Sequence, residues 1–550
     1  MANRFWVGGT ASWDSTAGTK WATTSGGTGG AAVPTSSDNV FFDANSGSPV
    51  VTITATANVD SIDFTGYAGA LAGSNGLNVA GDLTLAAGMT LSYTGQIQFT
   101  STTTQNVTTH GKTLSSAIVF NGAGGSWTLQ DALTTSGAIT LTAGTLMLGG
   151  HAVTCPSFTT SNTNTRTLDL TNSTLTLTGT GTVFSCSTST GLTLTSTGSE
   201  IVANDSSGTG KTLTLDGETY NKVTFSGAGP LTLNATGTIG LLTIGASTTS
   251  VDTTGFTVDG LDFTTFAGTW TSTPSLTLTG DLVLNAGMTV VGLNGTLTMS
   301  GAAARNLSTA GIVLQCGITI DCTGGSVTCA GDVAIAQGKT LLLRNGTFDA
   351  NGHNITAGFV DTTGSTNART LSMGSGTWTL NPGESGATTP WVTTPSTGLT
   401  LNGGASLVHM TNAAFAKTFD GGGFTYGDLT FDGTGSGVLN VSGSNTFRNL
   451  SIVGHDLVLA VGTTQTVATF SAMGSSGTLL NLKSSSGGTQ ATLSCPANRQ
   501  ASHYVNVKDV VATGGAFWFL GRNSTNGGNT RGWRFMTAAA RSGIAGIGAA

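Results

Sequence analysis

Cleaving a glycosidic bond takes one carboxylic acid and one base or nucleophile, and the chain offers several carboxylates at close spacing. They are Asp60 with Asp63, Asp259 with Asp262, Asp216 with Glu218, and Asp428 with Asp432. The first two pairs hold matching places in a long internal repeat, so the competing reading is structural: turn and strand-edge carboxylates copied along with a coil. Spacing in sequence puts no two of them across a groove. No residue is therefore assigned a catalytic role, and the chain is expected not to be an enzyme.

Metal and thiol chemistry are weighed the same way. Cys316, Cys322 and Cys329 cluster, but a structural zinc site uses short pairs such as Cys-x2-Cys with a second pair or a histidine nearby. Buried thiols on an inner face are expected, with a disulfide or a metal site as alternatives. Cys155, Cys186 and Cys495 complete a set too sparse for a disulfide framework, which fits a reduced, cytoplasmically made protein. His151 and His353 close Gly-Gly-His and Asn-Gly-His and read as solvated turn histidines rather than ligands. There is no nucleophile elbow, P-loop, dinucleotide fingerprint, EF-hand loop or calcium nonapeptide array, so no cofactor is expected. The aromatics Trp6, Trp13, Trp21, Trp518 and Trp533 are the remaining binding candidates. Such rings stack on sugars and proteins, or they cap the ends of a stack of strands.

The elements that must carry these residues follow from a duplication. LNVAGDLTLAAGMTLSYTGQIQFT, from Leu77 to Thr100, returns as LTLTGDLVLNAGMTVVGLNGTLTMS, from Leu276 to Ser300. VDSIDFTGYAG from Val59 matches VDGLDFTTFAG from Val258. Asn106 and Gly111 match Asn306 and Gly311, and Arg166-Thr-Leu matches Arg369-Thr-Leu. YNKVTF from Tyr220 matches YGDLTF from Tyr426. Within each copy apolar residues alternate with Thr, Asn or Ser at period two and break at Gly-rich turns, which is a strand pattern with almost no helix signal.

Tandem β-sandwiches and a parallel β-solenoid both meet this description. Sandwiches want antiparallel hairpins on Asn-Gly or Asp-Gly turns, and those are few, such as Asn121-Gly122 and Asp216-Gly217. The expected fold is an all-β, elongated parallel β-helix of coils of roughly 20 residues, rising about 4.8 Å per coil. The expected organisation is a Trp-rich N-terminal cap or attachment segment (1–48), solenoid copy 1 (49–250), copy 2 (251–460), terminal coils with an aromatic cap (461–535) and an Ala/Gly-rich tail (536–550). Charged residues make up 8% of the chain and hydrophobic residues 38%. Thr, Ser, Asn and Gly must therefore cover the outside, which suits stacked strands because like charges in register repel.

The net charge of −7, with no run of Lys and Arg, gives no footprint for a phosphate backbone, so nucleic acid is not an expected partner. The opening MANRFWVGG lacks a basic and then apolar leader, and no run of 18 apolar residues follows. Neither export through a membrane nor insertion into one is expected.

The Trp6, Trp13, Trp21, Pro34 and Asp38-x-Val-x-Phe pattern resembles the opening segment of autotransporter-type β-helix adhesins and of related tailed-phage surface proteins. The Asn506-Val-Lys-Asp to Gly527-Gly-Asn-Thr-Arg-Gly-Trp533 run resembles the closing segment of many bacterial and phage parallel β-helix proteins. The resemblance implies a structural virion protein, a tail fibre, spike or head-surface fibre, assembled in the host cytoplasm and carried on the virion surface. Its implied partners are other virion proteins, a host surface glycan, and its own copies as a homo-oligomer, with a trimer favoured. A bacterial surface adhesin, which would be extracellular, and a polysaccharide depolymerase spike are the alternatives.

Overall fold

Alternation at period two puts every second side chain of a strand on the same face, and in this chain that face is Val, Leu, Ile or Phe. The computed structural model describes residues 1–536 apart from 17, 384, 385 and 522. The expected tail, Met536 excepted, lies outside the described residues. The described chain is an all-β parallel β-solenoid with about 23 turns. They fall into two compact units, Met1–Thr271 with Gly287–Val291, and Ser272–Ala286 with Gly292–Ala550.

In the first unit the stacking is read from one inward column. Ala57, Leu77, Ile97, Ile118, Ile139, Phe158 and Phe184 are successive register partners on parallel strands, and all are buried. Each such aliphatic or aromatic side chain contributes about 1.5–3 kcal/mol. Phe99 and Phe120 continue the pattern as stacked rings 4.9 Å apart. The outward positions between them carry uncharged polar groups. Asn78 Nδ2 donates to Asn58 Oδ1 at 2.9 Å, and Thr212 lies beside Thr232.

The second unit repeats this arrangement. Its inward column runs Leu276, Leu297, Ile318, Leu341, Val360, Trp391, Phe419, Val441 and Leu459.

In both units a long strand turns a corner of the coil without ending. These are Ile118–Leu129 and Gly317–Cys329, longer than the short strands read from the sequence. Each has register shifts against its neighbour, at Phe120/Asn121 and at Ile320/Asp321. At the corner the neighbouring strand carries Gly144 or Gly346, with φ of 88° and 76°. A Cβ at either would run into the carbonyl oxygen of Gly122 or of Cys322, so only glycine lets the backbones approach there. These glycines pair in register with Arg166 and Arg369.

At the start of the first unit, Ala2–Trp6 pairs antiparallel with Trp21–Ala22 and parallel with Asp38–Phe41. Trp6, Trp13 and Trp21 meet edge to face with centroids 5.0 Å apart. They close on Phe42, which stacks on Phe64 at 4.8 Å. A 3-10 turn, Ala44–Ser46, follows with Asp43 as its cap.

Candidate functional site

Arg166 opens the strand Arg166–Asp169 behind a loop that leaves the strand ladder at Thr160. Carbonyls of such a loop face inward without a strand partner, and an orphaned buried carbonyl is costly. Arg166 answers that need. It is 1% exposed and donates from Nε to Thr160 O (2.8 Å) and Thr160 Oγ1 (2.6 Å). Its Nη1 donates to Asn164 O and Thr190 O, both at 3.0 Å, and its Nη2 to Thr188 O at 2.6 Å and to Thr160 O. The five N–H groups of a guanidinium suit this role where the three of an ammonium would not.

Arg369 does the same in the second unit. It is 2% exposed, with Nε to Thr362 O at 2.6 Å, Nη1 to Asn367 O at 3.1 Å and Thr397 O at 2.7 Å, and Nη2 to Pro395 O at 3.3 Å. Burial pulls the pKa of both arginines down.

Around Arg166 the fold gathers further titratable groups. Burial pushes the Cys186 thiol up to about 11, with Arg166 pulling the other way. Burial, and then the charge of Asp216, raise Glu218, while Arg166 opposes them. Tyr220, whose hydroxyl donates to Leu215 O at 3.3 Å, is raised by burial and by Cys186. Asp216 has a φ of 45° and accepts the Ser189 N–H, which ties its turn to the loop that Arg166 clamps. The pair Asp216 and Glu218 is thus brought into one electrostatic neighbourhood, with Glu218 shifted toward its protonated form. Arg166 spends its donors on backbone carbonyls and has none left for a substrate oxyanion. The cluster braces two loops.

The other carboxylates serve their own turns. Asp63 accepts Thr65 N–H at 2.8 Å, and Asp262 accepts Thr264 N–H at 3.1 Å, the same side-chain turn in both copies. Asp60 and Asp259 are half-buried beside them. Asp428 and Asp432 part ways. Asp428 takes a two-pronged contact from Arg448 at 2.8 and 2.7 Å and a hydrogen bond from Asn449 Nδ2 at 2.7 Å. Burial raises its pKa, but those bonds outweigh it and hold the carboxyl below its usual range. Asp432 lies 2.7 Å from His409 Nε2.

All six cysteines are buried and free. Cys322 accepts from Arg305 Nη1 at 3.2 Å and lies 3.2 Å from Met299 O. Cys329 is pushed up to about 12 by burial and by Asp349 and Asp332. His151 is half-buried, and His353 Nδ1 is 3.7 Å from Asp332. Trp6, Trp13, Trp21 and Trp518 are 0, 1, 0 and 1% exposed, so none has a ring face free to stack on a ligand. Trp533 is half-buried, and its Nε1 donates to Val510 O at 3.0 Å.

The sequence reading missed the two arginine clamps. Their signal was present: an arginine at a strand's first inward position, after a Ser/Thr/Asn-rich loop, repeated in both copies. No family model, no curated protein and no solved structure matches this chain.

Proposed function

We propose that this protein is a structural component of a tailed-phage particle, a surface fibre or spike that meets a glycan on the host cell. The observation that carries the reading is how the solenoid is covered. An apolar interior is closed by columns of Thr, Asn and Ser, and the buried guanidiniums of Arg166 and Arg369 go to backbone carbonyls at the loops. Such a surface withstands proteolysis and presents hydroxyls and amides in register, which suits a protein standing outside a particle. The resemblance of both termini to phage β-helix proteins supports the same reading. Quantitative mass spectrometry of purified particles tests it: the protein is expected at a fixed copy number, and its absence from particles overturns the proposal.

A second reading, glycan cleavage, is favoured by one observation, the raised Glu218 beside Asp216, since a general acid needs that shift. Under that reading purified protein shortens capsular or lipopolysaccharide chains and Glu218→Gln stops it. Unchanged chain length with wild-type protein removes it.

A further inference from the structure

Seven of the 19 Lys and Arg residues follow residue 456, against one of the 26 acidic residues. The end of the chain is thus cationic within an acidic protein, although no two of these cations are adjacent in sequence. The fold brings two of them together. Arg499–Ser502, Phe517–Leu520 and Trp533–Phe535 form a three-stranded parallel sheet. Its inward column includes Gln500, Trp518 and Trp533. On its outward face Arg499 is level with Phe517, and Ala501 is level with Phe519 and Arg534.

On that face the Arg499 guanidinium lies 4.3 Å from the Phe519 ring centroid, and Arg534 lies 5.0 Å from that of Phe517. The two rings are 6.5 Å apart. Phe517 is 53% exposed, and both arginines are exposed. Among the described residues neither arginine has a carboxylate partner, whereas Arg448, Arg344 and Arg4 each pair with an aspartate.

We infer that this face is a binding site for an acidic polysaccharide, one whose sugars carry carboxylate or phosphate groups. Stacking on a ring fixes the plane of a guanidinium while leaving its N–H edge free to grip an anion from two points. The phenyl rings between the two arginines offer apolar surface to the C–H face of a sugar. The arginines stand two strand spacings across the sheet and two residues along it from one another, about 12 Å, so an extended chain with repeating charges can reach both. Charge complementarity selects an anionic chain over a neutral one. The inference names the ligand class for the glycan contact proposed above and rests on that reading.

The test uses purified full-length protein and three immobilised probes: polygalacturonate, poly(glycerol phosphate) and neutral dextran. Binding to one or both acidic probes but not to dextran is expected, weakening as NaCl rises. Arg499→Gln with Arg534→Gln is expected to lower affinity at least tenfold, and Phe517→Ala with Phe519→Ala severalfold. Arg344→Gln, a surface cation elsewhere in the same unit, should leave affinity unchanged. The two acidic probes tell carboxylate from phosphate recognition. Equal binding to dextran, full affinity in the double arginine variant at unchanged thermal stability, or stronger binding to anionic vesicles or duplex DNA would each overturn the inference. These outcomes are independent of particle composition. Protein that binds acidic glycan but is absent from particles sinks only the virion reading, and protein present in particles without glycan affinity sinks only this one.

Discussion

Arg166 and Arg369 occupy matching places in two copies of one design, yet their surroundings differ. Both are buried and both spend their donors on loop carbonyls, from Thr160, Asn164, Thr188 and Thr190 in one copy and from Thr362, Asn367, Pro395 and Thr397 in the other. Around Arg166 stand Cys186, Asp216 and Glu218. In the second copy the chain has Thr393, Gly422 and Phe424 in the corresponding places. There Thr393 Oγ1 donates to Asp420 O at 2.7 Å, and Trp391 Nε1 donates to the Tyr426 hydroxyl at 3.2 Å. The tyrosine survives in both, each hydroxyl donating to a backbone carbonyl, Leu215 O or Gly421 O. The comparison separates two layers: the guanidinium clamp belongs to the architecture, and the ionisable groups around Arg166 are an addition in one copy.

The strongest way to break this comparison is to remove both clamps. Arg166→Met and Arg369→Met each leave several buried carbonyls unpaired, and each is expected to destabilise its turns by about 3–5 kcal/mol. A stack of repeats can open locally, so hydrogen exchange is the suitable measurement. Protection should fall around residues 187–192 in the first variant and 394–399 in the second. Loss in only one of them would show that the two clamps are not equivalent.

Glu218 sharpens the contrast through pH. Its folded pKa is raised, so its contribution to stability is full below its unfolded value and is lost as pH rises through the folded one. Glu218→Gln should therefore stabilise the first unit near pH 7 by no more than about 1 kcal/mol, given its partial exposure, and flatten the thermal stability profile on the alkaline side of the carboxylate range. Phe424→Leu, at the matching place, should leave the pH profile unchanged in shape.

Arg448 with Asp428 gives an outside reference for the buried arginines. A double-mutant cycle on this surface pair should yield a coupling at pH 7 far smaller than the loss from either buried clamp. Because Asp428 is held below its usual range, that coupling should fade as pH drops through its folded pKa. The smallest effect is expected at Cys186: burial pushes its thiol up, so the native thiol should resist alkylation at pH 8 until the protein unfolds.

How far the letters could be read depends on the range of the interaction. The period-two alternation, the Gly-rich turns and the matched blocks from Leu77 and Leu276 pointed to stacked parallel strands, because each is a local preference repeated many times. The pairing of Asp216 with Glu218 was visible as spacing, but the shift of Glu218 required Arg166 and burial, supplied by other coils. Trp6, Trp13, Trp21 and Trp518 were read as ring faces for docking or capping. Sequence could not tell these apart, since an indole at an end of the chain looks the same whether it points in or out. The arginine and phenylalanine face escaped notice because Arg499 and Arg534 are far apart along the chain.

By itself the sequence determined that strands would form, that they would bury one face, and that a unit of about 200 residues would recur. Only the tertiary structure decided which residues meet across coils. The reason is that the interval between register partners is not constant: Ile139 pairs with Phe158, Phe158 with Phe184, and Val360 with Trp391. Each loop that lengthens a coil resets what stacks on what. Contacts such as Arg166 near Glu218 or Arg499 over Phe519 therefore depend on the summed lengths of the intervening loops, which no local pattern encodes.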